Sequence, residues 1–381
     1  MGAPASGSWE AARNILCVRL DALGDVLMTT PAIRALKERP AGRRATLLTS
    51  SAGASIARLV PEIDEVLVYD APWVKATPPR EGPPADAAMI ECLRAKRFDA
   101  AVVFTVYSQN PLPAALACYL AAIPLRLAHC RENPYQLLTD WVREPEPERI
   151  VRHEVRRQLD LVAEVGAATR DERMSLTVPP GLEEGVRRRL SRLGIDPSGK
   201  FVVMHPGATA PSRRYPPELF AEAASQLVRA HRCPVVFTGG RDEIALVHAV
   251  RRSMTARSRS LAGRLTLGEL AALLRAAPVL VSNNSGPVHM AAALGTPVVD
   301  IYALTNPQHT PWMTPHRLLF HDVPCRYCYK SVCPQGHQDC VRLVPPSAVA
   351  EAAIELLEGR EPRGVPSLPA LGPRIRATLE D

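Results

Sequence analysis

The sequence has few lysines and no long apolar stretch. Of its 46 basic residues only five are lysines, and the longest basic run covers residues 187–189. Scattered arginines without a nucleic-acid-binding signature argue against a nucleic-acid partner, although a net charge of +7 suits an anionic ligand. Because no run reaches eighteen apolar residues, we expect no membrane-spanning helix.

Three familiar signatures are also missing. There is no G-x-G-x-x-G pattern and no Walker A lysine loop, which argues against a dinucleotide-dependent dehydrogenase and against nucleotide hydrolysis. Residues 1–10 are small and polar, and the apolar run at 15–20 is too short for a signal peptide. We therefore expect a cytoplasmic protein, with at most peripheral contact at the inner membrane face through arginines and Trp73.

What the sequence does contain is a regular alternation of strands and helices. With 381 residues, 46% of them hydrophobic and 22% charged, the chain has ordinary globular composition and is long enough for two domains. Short apolar runs typical of buried parallel strands alternate with helical periodicity throughout. The runs that best fit strands are residues 14–20, 44–49, 65–69, 98–104, 124–128, 201–205, 234–237, 277–282 and 297–302.

The periodicity stops at residues 167–180, where two prolines follow one another. We interpret this segment as a hinge between two Rossmann-like domains that face a central cleft. The predicted boundaries are 1–178 for an N-terminal domain, 179–345 for a C-terminal domain, and 346–381 for a C-terminal helix with a loose, proline-rich tail.

The segment 281–297 is typical of an anion-binding turn between a buried strand and a helix. Ser285 can serve as N-cap, Gly286 lets the backbone approach a ligand, and Pro287 suits the first helical turn. Free backbone N–H groups and the positive end of the helix dipole would then form a phosphate site, with His289 one turn further on. The alternative is an ordinary strand-to-helix corner with a core histidine.

A similar turn follows the first strand, 14–20. It places Asp21 and Asp25 beyond the carboxyl end of that strand, where open parallel sheets bind their ligands, and Gly24 lets the turn close tightly. The helix predicted at 26–38 contains a proline that either kinks it or opens a second segment. The alternative role for Asp25 is that of a helix N-terminal carboxylate that only stabilises the dipole.

Taken together and in this order, several motifs resemble glycosyltransferase family 9, the ADP-heptose:lipopolysaccharide heptosyltransferase family. The resemblance implies a GT-B fold and an inverting, metal-independent transfer. The nucleotide-activated sugar would be held by the C-terminal domain, 179–345, and the acceptor by the N-terminal domain, 1–178. The motifs are residues 19–27 with Pro31, the loop 205–216, Gly239 with Glu243, residues 282–287 with His289, and residues 295–297.

The resemblance also assigns roles to single residues. Asp25 matches the general base that takes the proton from the acceptor hydroxyl, and Asp21 is the alternative base. Arginine replaces the usual lysine on the donor diphosphate, and Glu243 matches an acid that bonds the donor ribose. An expected aspartate is replaced by Asn284, which puts an anionic role there in doubt. The implied donor-binding residues are Gly24, Thr209, Arg213, Glu243, Asn284, Ser285, Gly286 and His289.

Four of the nine cysteines lie close together in the sequence. Cys325, Cys328, Cys333 and Cys340, with His337 between the last two, fit a small tetrahedral zinc or iron site in a reducing compartment. Free thiols or disulfides in a surface loop are the alternatives. Any metal here would be structural, since the segment follows every phosphate-binding element, and we expect no cofactor in catalysis.

Three functions remain open at this point. The leading one is a glycosyltransferase that moves a sugar to a hydroxyl acceptor, and the resemblance implies heptose from ADP-heptose as that sugar. The others are an isomerase similar to nucleotide-sugar 2-epimerases and a non-catalytic nucleotide-sugar-binding protein. The acceptor could be a lipopolysaccharide core sugar, another glycan, a lipid-linked or small molecule, or a protein side chain. We expect residues 105–111 and 131–135 to form its walls.

Overall fold

The computed structural model describes residues 8–38, 41–75, 77 and 84–360. The chain divides into two compact units, Met1–Ser175 and Leu176–Asp381. Each unit contains one six-stranded, entirely parallel sheet with helices on its faces, as the alternation of strands and helices predicts. The tail that we predicted to be loose lies outside the described residues.

The sheet of the first unit has the strand order β3-β2-β1-β4-β5-β6. Its strands are β1 Asn14–Arg19, β2 Arg44–Thr49, β3 Glu65–Val68, β4 Ala100–Val103, β5 Leu125–Cys130 and β6 Asp140–Arg143. Its helices are α1 Leu23–Glu38, α2 Ser51–Ala57, α3 Pro84–Ala95, α4 Leu112–Leu120 and α5 Glu154–Ala163. The order reverses between β1 and β4, and ligands of such sheets bind beyond the carboxyl ends of the two strands that flank the reversal.

The second unit repeats this topology, with the order β12-β11-β10-β7-β8-β9. Its strands are β7 Val202–His205, β8 Val235–Phe237, β9 Arg259–Ser260, β10 Val279–Asn283, β11 Val298–Ile301 and β12 His316–Leu319. Its helices are α6 Leu182–Arg192, α7 Pro217–Ala230, α8 Ile244–Ser253, α9 Leu267–Ala276, α10 Gly286–Leu294, α11 Asp339–Arg342 and α12 Pro346–Leu357. Here the reversal falls between β7 and β10.

Three strands escaped the sequence analysis, and all lie at sheet edges. One is β9, which has only two residues; the others are β6 and β12. We took 124–128 as the last strand of the first half, but β6 follows it, and β12 was not predicted in the second half. Each of these two has four residues, two of them charged or polar, and shows no clear alternation. In the described ranges, none of the helices is both long and apolar enough to cross a membrane.

Helix α1 continues through Pro31 as one helix instead of starting a second segment. Because proline has no backbone N–H, the carbonyl of Leu27 loses its usual partner one turn later. The hydroxyl of Thr30 donates to that carbonyl at 2.7 Å, and it also accepts the backbone N–H of Ser175 at 2.9 Å. Thr30 is fully buried, so its hydroxyl satisfies two groups that water does not reach.

We expect Thr30→Val to destabilise the protein by about 2 kcal/mol, because it leaves a buried carbonyl and a buried N–H without partners. Thr30→Ser keeps the hydroxyl and should cost clearly less. Thr29→Val is the matched control. The Thr29 hydroxyl donates to the carbonyl of Asp25, and that carbonyl still accepts the backbone N–H of residue 29 in the helix when the hydroxyl is removed. Urea unfolding of the four proteins measures the difference, and equal costs at positions 29 and 30 would contradict this account.

Candidate functional site

The carboxyl end of β1 carries a buried arginine that pairs with three carboxylates. Arg19 is fully buried, and its guanidinium lies 3.0 Å from Asp21, 3.1 Å from Asp25 and 2.7 Å from Glu154 at the start of α5. Burial alone lowers the pKa of Arg19, but the three carboxylates outweigh it and raise that pKa. Gln158 donates to Glu154 at 2.7 Å and completes the buried cluster.

Asp25 has the position that both interpretations of the sequence require. One oxygen, Oδ1, accepts from the Arg19 guanidinium, and the other, Oδ2, accepts the backbone N–H of Ala22 at 3.1 Å. The carboxylate therefore stabilises the first turn of α1, as the alternative proposed. It also keeps part of its side chain, 17%, open to solvent at the end of the strand, where a substrate can approach. Gly24 lies beside it, buried within the same turn.

Asp21 is held by the same arginine and by Gln109, whose amide donates to Oδ1 at 2.5 Å. Burial raises the pKa of Asp21 to about 6; Arg19 lowers it, and the neighbouring carboxylate of Asp25 raises it further. Asp21 and Asp25 therefore share the Arg19 cation at the carboxyl end of β1, and Asp21 holds its proton more tightly than an ordinary aspartate.

Asp21 lines a cavity of about 500 Å³ beyond the ends of β1 and β4. The loop that follows β4, which contains the residues 105–111 that we predicted to line the acceptor site, forms another wall of this cavity. A smaller polar cavity of about 160 Å³ shares part of this loop and includes Arg131 and Glu132 from the second expected wall. The cavity thus lies at the strand reversal, where the topology places a ligand.

In the second unit, the turn after β10 has the predicted strand-turn-helix form. Ser285 is the N-cap residue of α10, but its hydroxyl turns back to the carbonyl of Asn283 at 3.1 Å and caps no helical N–H. Gly286 begins the helix, and His289 is buried one turn on, with its ring edge-on to that of His309. With no side-chain cap from Ser285, the N-terminus of α10 keeps the polarity that attracts an anion.

Buried amide and acid side chains hold this turn from behind. Asn283 accepts the N–H of Tyr215 at 2.9 Å and donates to the carbonyl of Pro206 at 2.7 Å, which joins the turn to the loop after β7. Asn284 donates to Asp300 at 3.0 Å and to the carbonyl of His309 at 2.8 Å. The position where we expected an aspartate is therefore neutral, and a buried acid on β11 lies directly behind it.

Asp300 was not identified in the sequence. It is fully buried, its Oδ1 has no hydrogen-bond partner among the described residues, and burial raises its pKa to about 7. The hydrogen bond from Asn284 and the charge of Arg213 both lower that pKa and offset part of the effect. The sequence of β11 does not reveal the role of Asp300, because its hydrogen-bond partner, Asn284, lies on the turn that follows the neighbouring strand β10.

The loop after β7 carries the predicted phosphate residues. Thr209 is exposed on it, and Arg213 lies half-buried at the end of a short 3-10 turn, Pro211–Arg213. The cysteine-containing segment holds this turn in place. Ser212 donates its N–H to Ser331 and its hydroxyl to the carbonyl of Lys330, at 3.0 and 2.9 Å.

Glu243 faces the same loop from the start of α8. Its carboxylate accepts the N–H of Gly240 at 2.7 Å and lies 3.4 Å from the imidazole of His205. Burial lowers the pKa of His205, although the charges of Glu243 and Asp242 oppose that shift. The carboxylate packs so closely on Gly207 that a Cβ there would collide with it. Only glycine leaves room for Glu243 in this position.

The four clustered cysteines surround a cavity of only about 20 Å³ together with His337. The sulfur of Cys325 lies 3.6 Å from His337 Nε2, and burial raises the pKa of Cys325 and of Cys340. Within the described ranges, no group of three or more histidine, cysteine or acidic side chains is arranged to hold a metal ion. The predicted zinc or iron site therefore finds no support, and all nine cysteines are free thiols.

The predicted residues thus fall into two sets. Asp25 and Gly24 lie together in the first unit, and the other predicted donor residues lie around the ends of β7, β8 and β10 in the second. Arg19 belongs to the quoted 19–27 motif, yet its sequence gave no sign of its role as the common partner of two aspartates. Glu154 carries no local signal at all, since it lies 135 residues from the arginine it contacts.

The chain resembles known proteins both in sequence and in structure. The family model described as glycosyltransferase family 9 (heptosyltransferase) matches residues 87–338. Lipopolysaccharide heptosyltransferase 2 of Escherichia coli K12 is 30% identical over 232 residues, which cover 58% of this chain and 64% of that protein. Lipooligosaccharide heptosyltransferase 2 of Campylobacter jejuni is 27% identical over 165 residues, or 42% of this chain and 51% of that protein.

The chain thus spans about half to two thirds of the length of these two relatives. Among solved structures, the E. coli ADP-heptose lps heptosyltransferase II superposes with a TM-score of 0.71 at 22% identity, covering 91% of this chain and 99% of that one. At this level of identity the superposition demonstrates a shared fold.

Asp300 makes stability depend on pH in a defined direction. Its pKa of about 7 in the folded state exceeds the ordinary value of 3.8, so the ionised carboxylate destabilises the fold above about pH 7. That penalty decreases as the pH falls and disappears below the ordinary value. A rise from pH 5 to pH 8 should change the free energy of unfolding of the two proteins by different amounts. We expect it to lower the value of the parent protein relative to that of Asp300→Asn, by on the order of 2 kcal/mol.

Denaturant unfolding at several pH values measures this difference between the two proteins. Asp322→Asn, at an exposed aspartate of the same unit, is the matched control and should follow the parent curve. Parallel curves for the Asp300→Asn variant and the parent would show that the buried acid keeps its ordinary pKa.

Proposed function

The chain belongs to glycosyltransferase family 9, the heptosyltransferase family, and we propose that it transfers a heptose from ADP-heptose to a hydroxyl group of a glycan acceptor. The predicted family and the predicted GT-B fold, with two parallel α/β units, are confirmed. The donor is proposed from the relatives, since the superposed E. coli protein is an ADP-heptose heptosyltransferase.

One observation carries the proposal for the first unit: a partly open carboxylate, Asp25, is fixed by the buried Arg19 at the end of β1. The cavity of about 500 Å³ at the same strand end has room for a sugar ring. A general base must lie within hydrogen-bond reach of the proton it takes, and a carboxylate with two fixed partners keeps one geometry for that task.

In the proposed step, the acceptor hydroxyl attacks the anomeric carbon of the heptose while Asp25 takes its proton. A new bond forms between the acceptor oxygen and that carbon. The bond between that carbon and the diphosphate oxygen breaks, and ADP leaves with the electron pair. Attack occurs on the face opposite the diphosphate, so the anomeric configuration inverts.

The departing diphosphate gathers negative charge, which must be stabilised in the transition state. In the second unit, Arg213, the Thr209 hydroxyl and the N-terminus of α10 at Ser285 are the groups we propose for this role, with Glu243 on the donor ribose. These groups supply positive charge and N–H donors without a divalent ion, and we propose metal-independent transfer on that basis.

The acceptor that best fits the relatives is a sugar of a lipopolysaccharide or lipooligosaccharide core, because both sequence relatives are named as heptosyltransferases of such glycans. The experiment is to incubate the purified chain with ADP-heptose, with and without core oligosaccharide, in the presence of EDTA, and to follow ADP release and product mass. Acceptor-dependent ADP release is the expected result. An isomerised donor, or binding without turnover, would instead support one of the alternatives.

Asp21 and Asp25 both pair with the Arg19 guanidinium, so replacing either one removes one negative charge from the same ion cluster. A difference in activity between the two variants then reports the role of the residue itself. We expect Asp25→Asn to lower kcat by about a hundredfold or more, since it removes the base. Asp21→Asn makes the same charge change beside the same guanidinium and is the matched control; we expect a loss of about tenfold or less. Steady-state rates, with folding checked by circular dichroism, decide between them. A larger loss for Asp21→Asn would transfer the role of base to Asp21.

The contact between Gly207 and Glu243 predicts a coupled pair in the donor site. We expect Gly207→Ala to push the Glu243 carboxylate aside and to raise KM for ADP-heptose by about tenfold. In a Glu243→Ala background the added methyl meets no carboxylate, so the second change should have little further effect. Kinetics of the two single variants and the double variant test this, and additive effects would contradict the proposed coupling.

A further inference from the structure

A third cavity in the first unit is left unused by the proposed reaction. It has a volume of about 100 Å³ and lies between the sheet and helices α3 and α4. From α3 it is lined by Met89, Ile90 and Leu93, and from α4 by side chains that include Leu116 and Ala117. Protein interiors are normally closely packed, so an open apolar space beside the core is a feature to explain.

The cavity adjoins the one that Asp21 lines, since the same residues form part of both walls. The two cavities share lining residues at the end of β1, at the turn after β3 and at the start of α4; these are Val18, Leu20, Trp73, Pro113 and Ala114. Leu20 immediately precedes Asp21 in the chain. A molecule that placed an apolar group in this cavity could therefore extend its polar part to Asp21 in the larger one.

The lining favours an apolar group and offers little to a polar one. The charged side chain among the described lining residues is that of Asp86, and one of its carboxylate oxygens already accepts a hydrogen bond from the Tyr69 hydroxyl at 2.5 Å. Trp73, Leu116 and Leu120 are each about 40% exposed, although large apolar side chains gain from leaving water. A ligand that covered them would gain that free energy on binding.

We propose that this cavity binds a small apolar group of the acceptor, a single aromatic ring or a short alkyl or acyl chain carried near the attacking hydroxyl. This inference rests on the proposed function, because it takes the larger cavity as the acceptor site. The volume of the apolar cavity sets the size limit. An enclosed apolar cavity of about 150 Å³ holds benzene. This cavity measures about 100 Å³ and is open where Trp73, Leu116 and Leu120 are exposed, so one ring or a short chain fits and a long acyl chain does not.

Contacts in this cavity lie away from the atoms that react. They contribute equally to the bound acceptor and to the transition state, so their effect is expected in KM and not in kcat. The acceptor class that follows is a glycoside or related alcohol with an apolar substituent next to its polar face.

The kinetic test compares methyl heptopyranoside with phenyl heptopyranoside as acceptors at saturating ADP-heptose. We expect KM to be about tenfold or more lower for the phenyl compound, because the ring leaves water for the cavity. Ala117→Phe fills the cavity and should bring the two KM values within about twofold of each other, with KM for ADP-heptose unchanged. Equal KM values in the parent protein, or an unchanged ratio in the variant, would overturn the proposal.

Two further variants serve as a second cavity-filling substitution and as a control for the added aromatic ring. Ile90→Trp fills the same cavity from α3, so the test does not depend on the folding of one variant. Ala88→Phe adds the same ring as Ala117→Phe at an exposed position of α3, on the helix face opposite Met89 and Ile90, and should keep the parent ratio.

A binding measurement separates this inference from the proposed function. The methyl group of Met89, labelled with carbon-13 and assigned with Met89→Leu, reports on the cavity by NMR without any donor present. Phenyl heptopyranoside should shift this signal saturably, and Ala117→Phe should abolish the shift. If no acceptor releases ADP, the proposed function fails while a saturable shift still supports the cavity. A Met89 signal that phenyl heptopyranoside leaves unchanged overturns the inference whatever the activity.

Discussion

The burial of Arg19 is the constraint on which the first unit depends. A guanidinium without access to water must be neutralised and hydrogen-bonded. Two carboxylates from the turn after β1 and one that lies 135 residues after Arg19 do so. Glu154 fixes α5 against β1, while Asp21 and Asp25 are drawn to the end of the strand. The two aspartates therefore owe their position to an ion cluster anchored in the core, which a flexible loop could not match.

The second unit meets the same requirement with amides instead of ions. Asn283 links the turn after β10 to the loop after β7, and Asn284 is bonded to the buried acid Asp300. Both units share one strand order, so each presents its polar groups at the strand ends that flank the reversal. The two units differ in the charge of these groups. The first unit presents two carboxylates, Asp21 and Asp25, at the strand ends, and the second presents Arg213 and the N-terminus of α10.

Local physics explains what the sequence predicts well. The turns at Asp25 and Ser285 follow from helix-start residues and apolar periodicity, both of which act within a few positions. Asp300 and Glu154 could not be found, because each acquires its meaning from a partner on another element. Edge strands β6 and β12 are too short and polar for periodicity to show. The hydroxyl of Ser285 was misjudged, since a nearby carbonyl outcompeted the helix N–H groups.

The cysteine segment has a packing role that its spacing does not predict. Among its four thiols, Cys325 and Cys340 pack against an apolar cluster that includes Tyr302, Leu304 and Tyr327. A free cysteine behaves there as a small hydrophobic residue. This packing holds the backbone at residues 330–331, which in turn bonds Ser212, one residue before Arg213. A segment that follows every phosphate-binding element in sequence thus fixes one of them in space, and it does so through packing and hydrogen bonds.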